Sequence, residues 1–459
     1  MKKKIILFSL LTLLIICGFF VRETYQKLPI ISGYHSKHLC SCVFGAKRTE
    51  ESVLNLDLSF FPINWASYTI NKKEKTVTSN VFGLKYRKSI YREGFGCTLL
   101  ADYKESEVRK GIFPNITTPA YSPENWPMGD LIELSPKEAA LKQSLQPVLD
   151  QTFHEEDINN KKNTTSVVVL YNGQLIAERY RKDFDSHTPV IGWSMTKSIT
   201  SALIGILIKE GKLALHSPAP VSEWQQDDRK NITLNNLLQM TSGLDWLEEY
   251  NRMSSAVDML YNKGNMYQYA INSSYSKKPD SDWYYSSGTT NIISGILRNT
   301  FNSNDDYWRF PYEALFHKIG MTSTFLEPDA AGMYAGSSYA FATPRDFARF
   351  GLLYYNNGVW NGDTIITPEW VNYTKTPVPA APKGEYGAQW WLNTGKNGNY
   401  RIEGVPTDTY FCDGFQGQRI YVIPSEKLVV VRTGITVNKS AFNERIFLHS
   451  IIEAVHNNE

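Results

Sequence analysis

Two β-hairpin signals, set on either side of a long helical stretch, constrain the fold more than any other feature of this chain. Ser166-Val167-Val168-Val169-Leu170-Tyr171 runs into Asn172-Gly173 and then Gln174 to Tyr180. Asn-Gly between two β-rich runs supplies the positive-φ residues that a tight two-residue turn needs. Far downstream, Gln418 to Ile423 and Lys427 to Val431 flank Pro424-Ser425-Glu426, which makes a second hairpin. A helix is expected over Pro136–Phe153, before the first hairpin. Between the hairpins, apolar residues recur at helical spacing over Ile199–Lys209, Leu234–Met240, Asn291–Arg298 and Pro344–Tyr355. Strands at both ends with helices between them predict an α+β architecture, an antiparallel sheet flanked by helices plus an all-helical domain.

The N-terminal part reads differently. Lys2-Lys3-Lys4 precede an apolar run from Ile5 to Val21, and charge resumes at Arg22. This is the pattern of a signal peptide or an N-terminal membrane anchor, near the lower limit of length for crossing a bilayer. The triple lysine then predicts export of the rest, to the periplasm or the outer face of the cytoplasmic membrane, with residues 5–21 as the anchor. Cys17 follows Ile16 rather than a small residue, which argues against a lipoprotein site. Further on, Thr76 to Gly83 alternates and ends in turn residues, as a strand does. Pro114, Pro119, Pro123 and Pro127 mark a boundary. The expected division is residues 1–26 as leader or anchor, 27–129 as an extension of unassigned role, and 130–459 as the main domain.

Composition excludes several function classes. A net charge of +2 with dispersed Lys and Arg offers no basic stripe for nucleic acid. No Gly-rich phosphate loop ending in Lys-Ser or Lys-Thr appears, so no nucleotide cofactor is implied. Cys40 and Cys42 are too few and too isolated for a zinc site, and no metal is expected. In an exported chain a disulfide is allowed, and Cys97 with either Cys40 or Cys42 would tie the extension together; free buried thiols are the plain alternative.

The candidate chemistry begins at Ser194. It sits where a largely buried helix starts, and Lys197 follows one turn later on the same face. A buried amine has its charged form disfavoured, so it can take a proton from the hydroxyl. Spacing alone proves little, because Ser274 and Lys277 share it in a polar stretch. Company is what lifts Ser194 above a simple helix cap. Tyr285 and Ser287 open a second helix in Trp283-Tyr284-Tyr285-Ser286-Ser287-Gly288, and Cys412-Asp413-Gly414-Phe415-Gln416-Gly417 precedes the strand of the last hairpin. Glycine there permits close backbone approach to a ligand. Arg432-Thr433-Gly434 is a second candidate for this third element, but it ends a strand. No Gly-x-Ser-x-Gly surrounds a candidate serine, which argues against an α/β-hydrolase.

Taken in order, these elements resemble the serine β-lactamase and penicillin-binding-protein superfamily, and among its members the class C β-lactamase-related hydrolases. The run Ile232 to Leu244 is similar to the segment that follows the nucleophile helix in that family, and Tyr339 to Leu353 to a later family helix. Ser287 stands where Asn is usual, as in the 6-aminohexanoate-oligomer hydrolase branch. The resemblance covers about Pro136 onward and implies a sheet domain and a helical domain with the site between them. It implies Ser194 as nucleophile, Lys197 and Tyr285 as proton-transfer partners, and Ser287, Gly414, Phe415 and Gln416 around the substrate and oxyanion. The substrate expected is a small-molecule or peptide-like amide or ester. The third element lacks the usual cation, which tilts the expectation from β-lactams toward an esterase or amidase. It also motivates a rival reading, a non-catalytic membrane-tethered binding or scaffold protein of the same fold.

Overall fold

The computed structural model describes residues 2–117, 119, 124–396 and 398–458; within residues 2–21 it describes the backbone but only the side chains of residues 8, 12, 18 and 19. A six-stranded antiparallel sheet forms its centre. The strands run in the order Trp391–Leu392, Tyr410–Gly414, Gln418–Ile423, Leu428–Gly434, Thr164–Tyr171 and Gln174–Tyr180. The C-terminal hairpin therefore pairs with the hairpin at Asn172-Gly173, and both turns form as their residues predict.

The two faces of this sheet are both covered, which explains its runs of valine. Val167, Val169, Leu428 and Val430 enter a core with Leu141, Leu145 and Ile451, from helices Pro136–Phe153 and Glu444–His456. Val168, Leu170, Val429 and Val431 point the other way, into a core with Phe347 and Phe350 of helix Pro344–Tyr355. Pro136–Phe153 begins as its sequence dictates. Ser135 accepts from the Glu138 N–H, Glu138 reaches back to Ser135, and Pro136 fills the first turn.

The helical part holds Met195–Lys209, Ser255–Asn262, Met266–Ile271 and Ser287–Asn299. The expected helix Leu234–Met240 is shorter, ending at Leu238, because Met240 turns the chain out in a left-handed conformation at φ 62°. Cys412-Asp413-Gly414 ends the strand that precedes the last hairpin, and Phe415-Gln416-Gly417 makes the turn into Gln418–Ile423.

The extension folds onto the same body. Its strands Ala66–Asn71, Thr76–Val81, Leu84–Arg92 and Gly96–Leu99 form an antiparallel sheet. One helix, Lys2–Cys40, lies across it and runs through the expected division at residue 26. Ser36 donates to the Val77 carbonyl at 2.9 Å, and His35 Nδ1 meets Ser79 Oγ at 2.9 Å. Leu28, Ile31 and Leu39 share one continuous core with helix Met195–Lys209. Of the two pairings left open, the disulfide is Cys40–Cys97; Cys42 and Cys412 are free and buried, and Cys17 lies outside the described side chains. The expected anchor, Ile5 to Val21, falls almost wholly on side chains outside the described residues. Among the described residues no helix is long and apolar enough to cross a membrane.

Candidate active site

The chain reaches Ser194 through a tight, strained turn. Strand Val190–Ile191 pairs with Ala340–Ala342, the Gly192 N–H donates to the Ala340 carbonyl at 2.8 Å, and Trp193 adopts φ 46°. A left-handed tryptophan costs energy and persists because its surroundings hold it. Its ring packs against Tyr34 and His38 of the N-terminal helix, with centroids 5.9 Å away in each case. Helix Met195–Lys209 then begins. Ser194 takes the N-cap position, yet its side chain makes no capping bond.

The hydroxyl instead faces the lysine. Lys197 Nζ donates to Ser194 Oγ, to Ser287 Oγ and to the Ser337 carbonyl, each at 3.0 Å. The ammonium is fully buried, and burial pushes it down to about 8 against the opposing pull of Glu248 and Asp413. It also lies 4.9 Å over the face of the Tyr285 ring. Burial and the Glu248 carboxylate hold the Tyr285 phenol well above its ordinary value, with the Ser194 hydroxyl pulling the other way. The phenol is therefore protonated near neutral pH, and the amine gives up its proton more readily than an exposed lysine does, a pairing suited to passing one proton.

The three sequence elements thus converge. Ser194, Lys197, Tyr285 and Ser287 meet at one point. Gly414 abuts the same turn, and a Cβ on it would stand 2.3 Å from the Gly192 carbonyl. Phe415 sets its ring 5.7 Å from Trp193 and 5.6 Å from Tyr250. Gln416 is buried at φ 60°, with its carbonyl accepting from the Thr436 N–H. The accidental pair does not join them. Lys277 bridges to Asp282 at the surface.

The sequence did not point to Glu248 and Tyr250. The Glu248 carboxylate accepts from the Ser287 hydroxyl and N–H, the Trp246 Nε1 and the Tyr250 hydroxyl. An acid in an irregular loop has no periodicity to betray it; its only signal is its place just after Thr241-Ser242-Gly243. A cation stands beside the third element. Arg401 pairs with Asp413 and lies 3.9 Å over the Trp391 ring, which packs 5.2 Å from Tyr285.

Among the described residues one group has metal-ligand types close together, His38, Cys42 and Asp57. The Arg48 guanidinium already sits on the Asp57 carboxylate at 2.7 Å, and His38 meets that carboxylate at 2.9 Å. A resident positive charge opposes a metal cation, and the cluster acts as an ion-pair network fixing the N-terminal helix behind Trp193.

Comparison with known proteins bears on the family and the fold. A family model described as Beta-lactamase matches residues 149–445. The 6-aminohexanoate-dimer hydrolase of Paenarthrobacter ureafaciens is 22% identical over 297 residues, covering 59% of this chain and 72% of that protein. A penicillin-binding protein homologue from Caulobacter crescentus superposes with a TM-score of 0.53 at 15% identity, covering 71% of this chain and 98% of the other. A family VIII carboxylesterase does so at 0.52 and 12%, covering 72% and 99%. At these identities the structural likeness establishes the fold.

Proposed function

The chain belongs to the β-lactamase family of serine hydrolases, and from that premise we propose that it cleaves an ester or amide through an acyl-enzyme on Ser194. The observation that carries this reading is the 3.0 Å contact between the buried Lys197 amine and the uncapped Ser194 hydroxyl. In the neutral form the amine takes the serine proton as Oγ attacks the carbonyl carbon. The C–O or C–N bond then breaks, and Tyr285, drawing on Lys197, gives a proton to the leaving group. Water repeats the sequence on the acyl-enzyme, releasing the acid and restoring Ser194. The helix N-terminus at Ser194 and the turn at Phe415 would hold the oxyanion.

Ser287 and Glu248 position Lys197 rather than react. Names among the relatives, a 6-aminohexanoate-dimer hydrolase and a carboxylesterase, favour this class of substrate. A scaffold without chemistry gains nothing from a buried amine costing stability, so the rival reading is not favoured. A fluorophosphonate probe tests the proposal. Wild-type protein is expected to be labelled and Ser194→Ala not; equal labelling of both, or of neither, rejects it.

We also propose an exported protein tethered by residues 5–21 on the outer side of the cytoplasmic membrane. Lys2-Lys3-Lys4 and the apolar run support it, as does the Cys40–Cys97 disulfide, which suits an oxidising compartment. Protease accessibility of the chain in intact cells, with a cytoplasmic marker protected, checks this.

A further inference from the structure

Ser194 opens into a cavity that the hydrolase fold alone does not build. Its volume is about 430 Å³, and Ser194, Trp193 and Phe415 line one end. The walls are Ile30 and Ile31 of the N-terminal helix, Phe60 and Ile63 of the extension, and Val257 and Leu260 of the helical part. Eight of the twenty lining residues come from residues 27–129, for which the sequence suggests no role. Phe61 also lines the cavity while being 70% exposed, and it meets Trp65 edge-on at 4.9 Å, which in turn meets exposed Phe82 at 5.6 Å. The mouth is thus edged by apolar rings open to the surroundings. Apolar walls with a reactive group at one end select an aliphatic chain carrying its carbonyl at the tip.

The side of the scissile bond that this chain occupies follows from Tyr285. The phenol that serves the leaving group is not among the lining residues; it lies toward Trp391 and Tyr386. The leaving alcohol or amine belongs there, and the cavity belongs to the acyl group.

Resting on the serine-hydrolase reading above, we propose that the substrate is a medium- to long-chain aliphatic acyl ester or amide, held with its acyl chain between the N-terminal helix and the catalytic core. At about 30 Å³ for each water-sized group, the cavity of about 430 Å³ holds a chain of roughly fourteen carbons. Ser194 Oγ forms the ester to that acyl carbon, the alcohol or amine leaves with the proton, and water releases the fatty acid.

The full chain assayed on p-nitrophenyl acetate, butyrate, octanoate and decanoate tests this. Each buried methylene contributes at most about a fourfold gain, so kcat/KM is expected to rise at least tenfold from acetate to decanoate. Ile30→Trp, and Phe61→Ser at an exposed position that folding tolerates, should each lower the decanoate-to-acetate ratio at least fivefold. Short esters hydrolysed in a Ser194-dependent way with a flat or falling series overturn the acyl-chain site and leave the hydrolase reading intact. Absence of both hydrolysis and probe labelling overturns the hydrolase reading instead. In that case cis-parinaric acid titrated into Ser194→Ala decides the cavity. Saturable fluorescence that Ile30→Trp weakens at least fivefold supports an acyl site, and no saturable binding rejects it.

Discussion

The Gly192 carbonyl lies against Gly414 so closely that a methyl group at 414 would stand 2.3 Å from its oxygen. Gly192 precedes the strained Trp193 by one residue, and Gly414 precedes Phe415 by one. The contact therefore sets the spacing between the serine turn and the strand end that closes the site.

Gly414→Ala forces these segments apart. Overpacking of this kind costs about 1–3 kcal/mol of stability, which a protein of this size survives. A displacement of about 1 Å between reacting groups costs on the order of 10²-fold in rate. The expected outcome is a folded variant with kcat/KM on any hydrolysed ester down by about that factor. Wild-type kinetics in this variant would show that the contact does not position the site.

The neutral Lys197 amine is the proposed base, and burial brings it down to about 8. Activity should therefore climb as pH rises and level off above about 8. A pH profile of kcat/KM gives this limb directly; a limb near pH 10 would mean that Lys197 titrates as an exposed lysine does.

The same shift affects stability. The folded chain releases the Lys197 proton near pH 8 and the unfolded chain near 10.5. Between these values the unfolded state binds more protons, so stability gains as pH rises through the window, by about 2–3 kcal/mol in all. Lys197→Met lacks this gain. Its unfolding free energy relative to wild type should move against the variant by about that amount between pH 7 and pH 10, as urea titrations at the two pH values would measure.

Glu248 opposes the fall of Lys197 by its negative charge and also holds Ser287. Glu248→Gln removes the charge and keeps the shape. The acidic limb of the pH profile should move to lower pH, with a lower plateau from the disturbed Ser287. A purely structural role would lower the plateau and leave the limb in place.

Cys40–Cys97 closes a separation of 57 residues around the cavity-forming extension. A crosslink of this span stabilises by about 2–4 kcal/mol, chiefly by limiting the unfolded chain. Cys97→Ser should lose that amount in chemical unfolding, and reductant should lower the wild-type midpoint but not the variant's.

The legible parts of the chain were those with a period or a turn signature. Val167 to Leu170 alternate between two covered faces, and Asn172-Gly173 names its turn, so the sheet can be read from the letters. Ser194, Lys197, Tyr285 and Ser287 were legible because each lies at a helix start. The rest of the site was not, since Glu248, Tyr250 and Ser337 sit on irregular backbone and reach the site only through the tertiary fold. Arg401 is hidden for the same reason; a loop residue that pairs with Asp413 leaves no mark beside Cys412-Asp413-Gly414. At the N-terminus the hydropathy changes near residue 22, and the backbone continues as one helix from Lys2 to Cys40 across that change.

Lys37 of that helix and Glu327 of the main body meet as a fully buried ion pair, with Lys37 also 4.1 Å over the Tyr339 ring. Neither charge has water to turn to, and removing one partner of such a pair costs about 3–5 kcal/mol. Homology alone would trim this protein to residues 149–445, which strands Glu327 and strips the wall from Trp193. The stretch that kinship marks out is thus shorter than the stretch this packing joins, and a chain cut to it is expected to unfold more readily than the full one.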